Sequence, residues 1–230
     1  MISVLMSVYK KENPAFLKTS LDSIYAQTLK ADEIVLIEDG KIPEALEAVI
    51  SQYPKIHIVR LEKNVQLGRA LEAGLKVCQH ELVARMDTDD IMMPDRLEKQ
   101  YRFMTDHPEV ASCGSDIAEF MEEDTMLREK HMPTSPEELY RYGKKRNPLN
   151  HMTVMFRKSA IEAVGGYRHF PGLEDYDLWS RLLANGYQIA NIPEVLVKAR
   201  IGDRFASRRG GWSYSNAICG FGKISIESSI

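Results

Sequence analysis

The sequence predicts an α/β protein with a mixed, mostly parallel β-sheet that carries helices on both faces. Short apolar runs alternate with helical patterns through the first half of the 230-residue chain. This alternation favours parallel strands that are joined by crossover helices. Residues 33–38 contain the run Ile-Val-Leu-Ile, which suits a strand that is buried on both faces.

The first half divides into four strand–helix units. Each strand is a short apolar run, and each helix has apolar residues at helical spacing. The fourth helix has a proline at an early position, where proline is tolerated. Strands are predicted at 2–8, 33–38, 56–61 and 82–86, and helices at 14–27, 43–51, 69–78 and 94–106.

The second half is less regular. The polar stretch 125–148 ends in a basic run, which we interpret as a solvated helix face: Arg141, Lys144, Lys145 and Arg146. The other predicted elements are strands at 110–116, 150–156, 187–192 and 195–201, and helices at 158–164 and 175–185, the last ending at the C-cap residue Gly186. We predict one domain over residues 1–201 and a weakly patterned C-terminal tail over 202–230.

Composition narrows the classes of partner. The net charge of −3 gives no bulk electrostatic attraction to nucleic acid, so we expect no nucleic-acid partner. Three cysteines without metal-ligand spacing, Cys78, Cys113 and Cys219, indicate a reducing cytosol. The N-terminus lacks a signal-peptide pattern, and no apolar run is long enough to cross a membrane. We expect a cytoplasmic protein whose contact with a membrane is peripheral.

Polar and aromatic residues follow the predicted strands. In open α/β sheets, ligands bind beyond the carboxyl ends of the strands. An aromatic ring, a carboxylate pair and a metal candidate along one edge predict a clamp for a nucleotide base, a grip on ribose and a diphosphate–metal site. In strand order, these residues are Tyr9, then Glu38 and Asp39, then Asn64, then Asp87.

The densest acidic cluster is Asp87-Thr88-Asp89-Asp90, directly after the fourth strand. Hard oxygen ligands suit Mg²⁺ or Mn²⁺, which bind one or two carboxylates together with substrate phosphate oxygens. A solvated turn or a helix N-cap is the alternative, because Asp caps helices well. The first strand is not followed by a G-x-G-x-x-G turn, and no P-loop is present. Metal and side chains must therefore meet the phosphate charge.

A second acidic group, Glu174 to Asp177, lies at the start of the last predicted helix. Acidic residues in a first turn are favoured by the helix dipole, so simple capping explains them. In the functional alternative, Asp175 is a general base that faces the nucleotide site.

Five motifs, in order, resemble those of the inverting family 2 glycosyltransferases of the GT-A fold. The resemblance covers about residues 2–200. Lys10, Glu38, Gln66 and Glu72 depart from the family pattern, where Asn, Asp, Gly and Asn are usual. The motifs are VLMSVYK at 4–10, EDG at 38–40, NVQLGRALEAG at 64–74, ARMDTDD at 84–90, and GGY at 165–167 with EDYDLW at 174–179.

The resemblance implies a GT-A (Rossmann-like) fold and a mechanism. Asp87 and Asp89 would hold the ribose-diphosphate and its Mn²⁺ or Mg²⁺, and Asp39 would contact the base. Asp175 would deprotonate the acceptor hydroxyl, and Glu174 would orient the base or the acceptor. Arg200 stands where relatives carry an arginine near the diphosphate, although Gly202 replaces their histidine. The donor is a nucleoside diphosphate sugar, with UDP the commonest nucleotide in the family.

We expect sugar transfer to a saccharide or lipid-linked saccharide acceptor, in cell-surface polysaccharide or glycolipid synthesis. The alternatives are a non-catalytic nucleotide-sugar binding module and a sugar nucleotidyltransferase. Basic tail residues, such as Arg204, could grip a diphosphate or a lipid headgroup, and a solvated tail is the simpler interpretation. The resemblance implies a histidine beside the acceptor site near His151, and a hydrogen-bonded structural histidine is the alternative. Trp179 is interpreted as a core residue, and Arg85 either pairs with a carboxylate or lines the sheet edge.

Overall fold

The computed structural model describes residues 1–121 and 125–201. Within these residues, nine strands form one sheet, and seven helices cover it. The strands are β1 Ile2–Val8, β2 Glu33–Glu38, β3 Ile56–Arg60, β4 Leu82–Arg85, β5 Ile91–Met92, β6 Val110–Phe120, β7 Met126–Lys130, β8 Met155–Arg157 and β9 Gln188–Arg200. The helices are α1 Pro14–Tyr25, α2 Glu44–Ile50, α3 Leu67–Val77, α4 Arg96–Asp106, α5 Pro136–Gly143, α6 Lys158–Ala163 and α7 Glu174–Ala184.

The first four strands form the predicted parallel half of the sheet. Their order is β3-β2-β1-β4, and every pair among them is parallel. The register pairs Val8 with Glu38 and Leu5 with Arg85, so the carboxyl ends of β1, β2 and β4 lie at one edge. The residues that follow these strands therefore meet there, as the sequence predicts.

The two faces of the sheet carry separate hydrophobic cores. Successive strand residues point to opposite faces. Val4 and Met6 of β1 pack with Leu21 of α1 on one face, whereas Leu5 packs with Leu71 of α3 on the other. Helices α1, α2 and α4 cover the first face, and α3, α6 and α7 cover the second. The predicted two-faced architecture is confirmed.

The second half of the sheet is mixed. Strand β8 joins β4 to β6 by antiparallel pairing, β9 lies parallel to β6, and β5 and β7 add antiparallel edges. Strand β6 is longer than predicted and every one of its residues is buried. Its buried carboxylates have partners, because Asp116 accepts from the backbone N–H of Met132 at 2.8 Å, and Glu119 pairs with Arg128.

The strand predicted at 150–156 is wrong in its first part. Residues His151–Thr153 form a 3₁₀ turn, and the strand begins only at Met155. Asn150 explains the turn, because its carbonyl accepts from both the backbone N–H and the hydroxyl of Thr153. Such local side-chain bonds compete with strand pairing.

Two predicted strands, 187–192 and 195–201, are one strand, β9. Its register with β6 shifts between Ser115 and Asp116, which pair with Ile192 and Val195. The residues between those partners, Pro193 and Glu194, form a bulge. Proline lacks a ladder donor and is tolerated at bulges, so the sequence break does not end the strand.

The stretch predicted as a solvated helix face contains β7 and the short helix α5. The two-residue strand β5 was not predicted, because it is too short to show a pattern. Within the described ranges, no helix combines the length and the apolar character that spanning a bilayer requires. The predicted tail, including Arg204, lies outside the described residues.

Candidate active site

The acidic cluster lies at the end of β4, among cationic side chains. Carboxylate oxygens of Asp87, Asp89 and Asp90 lie within 4.8 Å of one another. Helix α4 begins only at Arg96, so the cluster does not cap a helix. The hydroxyl of Ser20 on α1 donates to the Asp87 carbonyl at 2.8 Å and fixes the segment.

Mutual repulsion and burial perturb these carboxyls. Burial, reinforced by the charge of Asp87, raises the pKa of Asp89 to about 6. The same two causes, with Asp89 added, raise the pKa of the buried Asp90 well above its ordinary value. A divalent cation would relieve this repulsion, and three carboxylates with oxygens this close fit Mg²⁺ or Mn²⁺.

Of the two alternatives for Arg85, the structure supports pairing with a carboxylate of the cluster. Its guanidinium is 2% exposed and binds both oxygens of the Asp87 carboxylate, with one contact of 2.5 Å. Arg96 lies fully buried behind the same loop and donates to the Arg85 carbonyl at 2.8 Å. Burial lowers the pKa of Arg96 to about 9.

Arg200 closes the cluster from β9. Its backbone N–H donates to Asp90 Oδ1 at 2.8 Å, and its Nε donates to the Asp89 carbonyl at 3.0 Å. The guanidinium stacks between the rings of Phe16 and Phe120, 3.8 and 4.4 Å from their centroids. Its Nη2 is buried and has no hydrogen-bond partner within residues 1–121 and 125–201, so a donor is left for an incoming anion.

Asp39 anchors the loop that leads into α3. Its carboxylate accepts from the backbone N–H groups of Val65 and Gln66, at 2.6 and 3.1 Å, and from Asn64 Nδ2 at 2.8 Å. Gly40, at φ +79°, permits the close approach, because a Cβ there would lie 2.7 Å from the Asn64 nitrogen. Asp39 and Asn64 are therefore brought together, as the sequence predicts.

Two other predicted residues, Glu38 and Tyr9, stand at the ends of the neighbouring strands β2 and β1. Glu38 pairs with Arg60 at 3.0 Å and lines a surface cavity with α2 residues. Burial raises its pKa, and the Arg60 charge opposes the shift. Tyr9 follows β1 and is half-exposed. Their assignment to a nucleotide site stays a prediction.

The second acidic group lies in the first turn of α7. Asp175 accepts from the backbone N–H of Tyr176 at 2.8 Å and from the side chain of Asn147. Glu174 is buried, and burial followed by the Asp175 charge raises its pKa. Asp177 instead binds Arg181 at 2.7 Å and is structural.

Charges from both acidic groups act on the pKa of the buried Tyr167. The pKa of the buried Tyr167 is raised chiefly by burial, and the carboxylates of Asp175, Glu174 and Asp87 all add to the shift. The Arg85 charge acts on both Tyr167 and Glu174. Charges from both acidic groups therefore reach one buried tyrosine.

Helix α3 packs against the segment that leads into α7. Gly68 in its first turn lies so close to the segment before α7 that a Cβ would be 3.1 Å from Glu174 Cβ and 2.4 Å from the Arg168 carbonyl oxygen. The loop that Asp39 holds leads directly into α3, and α3 packs against Glu174. One helix therefore connects Asp39 with the acidic group at the start of α7.

Comparison with known sequences decides the family. The profile described as "Glycosyl transferase family 2" matches residues 3–165, more than half of the chain. The chain belongs to glycosyl transferase family 2.

Relatives and solved structures agree with this family. The chain is 46% identical over 217 residues to the amylovoran biosynthesis glycosyltransferase AmsE of Erwinia amylovora, covering 93% of this chain and 81% of the relative. It is 42% identical over 217 residues to the Escherichia coli UDP-Gal:alpha-D-GlcNAc-diphosphoundecaprenol beta-1,3-galactosyltransferase, covering 93% and 78%. The protein is accordingly a glycosyltransferase.

The fold is that of GT-A enzymes. Staphylococcus aureus TarS 1–349 in complex with UDP-GlcNAc aligns with a TM-score of 0.71 at 16% identity, over 98% of this chain and 66% of that chain. The mannosyltransferase PcManGT from Pyrobaculum calidifontis, in complex with GDP-Man and Mn²⁺, aligns with a TM-score of 0.69 at 15% identity, over 99% and 74%. The GT-A expectation is confirmed.

The structure of this family 2 glycosyltransferase also shows contacts that sequence reasoning missed. Asn147, which binds Asp175, carried no signal beyond being polar before a proline. Glu72, a departure from the family pattern, accepts from the Tyr167 backbone N–H at 2.8 Å and holds the turn of Gly165 and Gly166. Trp179 is fully buried, and the interpretation of it as a core residue is confirmed.

His151 is structural in its surroundings. It is buried, its Nε2 lies 3.0 Å from the Tyr167 hydroxyl, and burial lowers its pKa well below the ordinary value. The neutral ring supports Tyr167, on which the charges of both acidic groups act.

Gln66 is strained, and we expect Gln66→Gly to stabilise the protein. Gln66 has φ 73° and ψ 160°, a region that essentially only glycine adopts without a cost of about 1–3 kcal/mol. Glycine also gives the unfolded chain more conformational freedom, which lowers the free energy of unfolding by about 0.4–1 kcal/mol. We therefore expect a net increase of about 1 kcal/mol in the free energy of unfolding, measured by urea denaturation. Lys63→Gly, at a neighbour without positive φ, should lower stability. A Gln66→Gly protein as unstable as Lys63→Gly would refute the strain.

Proposed function

We propose that the protein is a metal-dependent, inverting glycosyltransferase that moves a sugar from a nucleoside diphosphate sugar to an acceptor hydroxyl. The observation that carries the proposal is that charges from two acidic groups, far apart in sequence, act on one buried tyrosine. The carboxylates of Asp175 and Asp87 both raise the pKa of Tyr167, after burial, and Arg85, which binds Asp87, opposes the shift. Donor and acceptor chemistry can therefore meet in one cleft.

The donor half of the site is built for a diphosphate. Asp87 and Asp89 would hold Mn²⁺ or Mg²⁺, and such a cation neutralises charge on the departing diphosphate. Arg200 offers its unpartnered Nη2 beside the cluster, in a position to bind a phosphate oxygen. The solved neighbours bind UDP-GlcNAc in TarS and GDP-Man with Mn²⁺ in PcManGT, which supports a nucleotide-sugar donor here. We propose UDP as its nucleotide.

The nucleotide base would lie toward the loop after β3. Asp39 and Asn64 hold that loop in place, and we assign the base contacts to this side. Tyr9 and Glu38 follow neighbouring strands and are assigned to the same nucleotide site, as the sequence predicts.

The acceptor half of the site centres on Asp175. Its carboxylate would take the proton of the acceptor hydroxyl as the oxygen attacks the anomeric carbon. The bond to the diphosphate oxygen breaks on the opposite face, the electron pair leaves with the diphosphate, and the configuration inverts. Asn147 and the Tyr176 backbone N–H orient the base, and Glu174 lies beside it to position the acceptor.

We propose a lipid-linked saccharide as the acceptor, in polysaccharide or glycolipid synthesis at the inner face of the membrane. One relative is named for transfer to a GlcNAc-diphosphoundecaprenol and another for amylovoran biosynthesis. Their identity with this chain, 42% and 46%, supports the class of acceptor.

Asp175→Asn should abolish transfer without abolishing donor binding. The amide keeps the size of the side chain but cannot accept the proton, and loss of a general base costs roughly a hundredfold or more in rate. Transfer is measured by UDP release with acceptor present, and donor affinity by calorimetry. We expect an unchanged donor affinity.

Asp89→Ala serves as the matched comparison for that experiment. It removes a carboxylate on the donor side and should weaken metal-dependent donor binding. Full transfer by Asp175→Asn would favour a non-catalytic role for the α7 carboxylates and contradict the proposal.

Stabilisation by Mn²⁺ should depend on pH. The pKa of Asp89, raised from 3.8 to about 6, means that the folded metal-free protein holds a proton that the unfolded chain releases. Its stability therefore falls as the pH rises through about 6. A cation must displace this proton at low pH, so Mn²⁺ should raise the Tm more at about pH 7.5 than at about pH 5.

The Asp89→Asn protein provides the control, because it should show little Mn²⁺-dependent shift at either pH. An equal shift at both pH values in the unmodified protein, retained in Asp89→Asn, would place the cation elsewhere.

A further inference from the structure

The end of α5 carries an exposed basic surface that the reaction does not use. Four cationic residues, Arg141, Lys144, Lys145 and Arg146, are all exposed. Among the described residues, none of the four forms an ion pair with a carboxylate, whereas other cations do, such as Lys99 with Asp95. We call these four residues the α5 basic surface.

Aromatic side chains accompany the α5 basic surface. Tyr140 is 54% exposed, and Lys144 Nζ lies 4.3 Å from the centroid of its ring. The Arg146 guanidinium lies 6.0 Å from the Tyr142 ring. An exposed tyrosine beside a lysine, such as Tyr140 beside Lys144, is typical of proteins that contact the headgroup layer of a membrane.

The charge of this surface is a local exception. The chain as a whole has a net charge of −3, and the acidic residues of α5, Glu137 and Glu138, lie in its first turn, where the helix dipole favours them. Four positive charges within six residues of the chain repel one another. A surface of fixed anions would remove that repulsion.

The α5 basic surface is held next to the proposed base. Leu139 is buried, and the Gly143 carbonyl accepts from the Tyr176 hydroxyl at 2.6 Å, which ties the end of α5 to α7. Arg146 directly precedes Asn147, whose side chain binds Asp175. Whatever binds the basic surface lies beside the acceptor half of the site.

We propose that the α5 basic surface docks the enzyme on an anionic membrane, so that Asp175 meets the headgroup of a lipid-anchored acceptor. The role of this docking rests on the proposed function, but binding to the membrane needs neither donor nor acceptor. Clusters of four or more lysine and arginine residues bind anionic lipids. Nucleic acid fits less well, because Lys144 already lies over one face of the exposed Tyr140 ring, where a base would stack.

Vesicle binding tests the proposal directly. The protein is sedimented with vesicles of phosphatidylglycerol and phosphatidylethanolamine in equal parts, and with vesicles of phosphatidylcholine alone. The test variant combines Arg141→Gln, Lys144→Gln, Lys145→Gln and Arg146→Gln. The control variant removes the same charge from exposed lysines of other elements by combining Lys18→Gln, Lys30→Gln, Lys55→Gln and Lys76→Gln.

The unmodified protein should bind the anionic vesicles, more weakly as salt is added, and should bind phosphatidylcholine poorly. Each basic residue near such a surface contributes about fivefold in affinity, so the test variant should bind roughly a hundredfold more weakly or worse. The control variant should change far less. Equal weakening in both variants, equal binding to both kinds of vesicle, or binding to a single-stranded oligonucleotide but not to vesicles would overturn the proposal.

Transfer assays separate this proposal from the proposed function. With an acceptor in anionic vesicles, the test variant should show a raised KM for the acceptor, and with a short water-soluble acceptor it should match the unmodified protein. Equal loss with both acceptors would overturn the docking role. Vesicle binding that depends on the basic surface, in a protein that transfers sugar to neither acceptor, would overturn the proposed function and uphold the docking.

Discussion

The rest of the site depends on the ion pair between the buried guanidinium of Arg85 and the carboxylate of Asp87. The guanidinium binds the Asp87 carboxylate through two contacts while almost wholly excluded from solvent. Its charge also acts on Glu174, Tyr167 and the neutral His151. Removing one partner of a buried ion pair leaves the other charge uncompensated, at a cost of about 3–5 kcal/mol. Arg85 thus fixes Asp87 directly, and its charge also lowers the pKa of Glu174 in the second acidic group.

That arrangement explains how so many carboxylates remain together in a folded protein. Arg85 meets Asp87 on one side, and the Arg200 backbone meets Asp90 on another. Arg96 lies behind the loop without a carboxylate partner of its own within the described ranges. The raised pKa values of Asp89 and Asp90 show that these cations compensate the cluster only in part. A divalent cation would offset the remaining negative charge and would supply the positive charge that a diphosphate needs there.

Sequence patterns predicted the parallel half of the fold well because its strands are apolar on both faces. The ends of β1, β2 and β4 place Asp39 and Asp87 at one edge of the sheet, and strand spacing alone is sufficient to predict this. The alternation of apolar and polar residues did not predict the full length of β6, where polar residues are buried with hydrogen-bond or ion-pair partners. Asp116 and Glu119 continue β6 because Met132 and Arg128 satisfy them, and no local pattern shows such distant partners.

The site was predictable to a similar extent. Its carboxylates stand out in sequence, whereas the contacts that position them join residues far apart along the chain, as Ser20 does with Asp87 and Asn147 with Asp175. The departures from the family motifs acquire physical meaning only in three dimensions. Glu72 holds the turn before Tyr167, and Gln66 keeps a glycine-like backbone with a side chain attached.

A crystal structure of the protein with a UDP-sugar and Mn²⁺ would test the central claim most directly. The account predicts Mn²⁺ on the carboxylates of Asp87 and Asp89, the diphosphate beside Arg200, and the Asp175 carboxylate directed at the anomeric carbon within the same cleft. A donor bound at the acidic cluster with its sugar directed away from Asp175, or a metal bound outside the cluster, would contradict it.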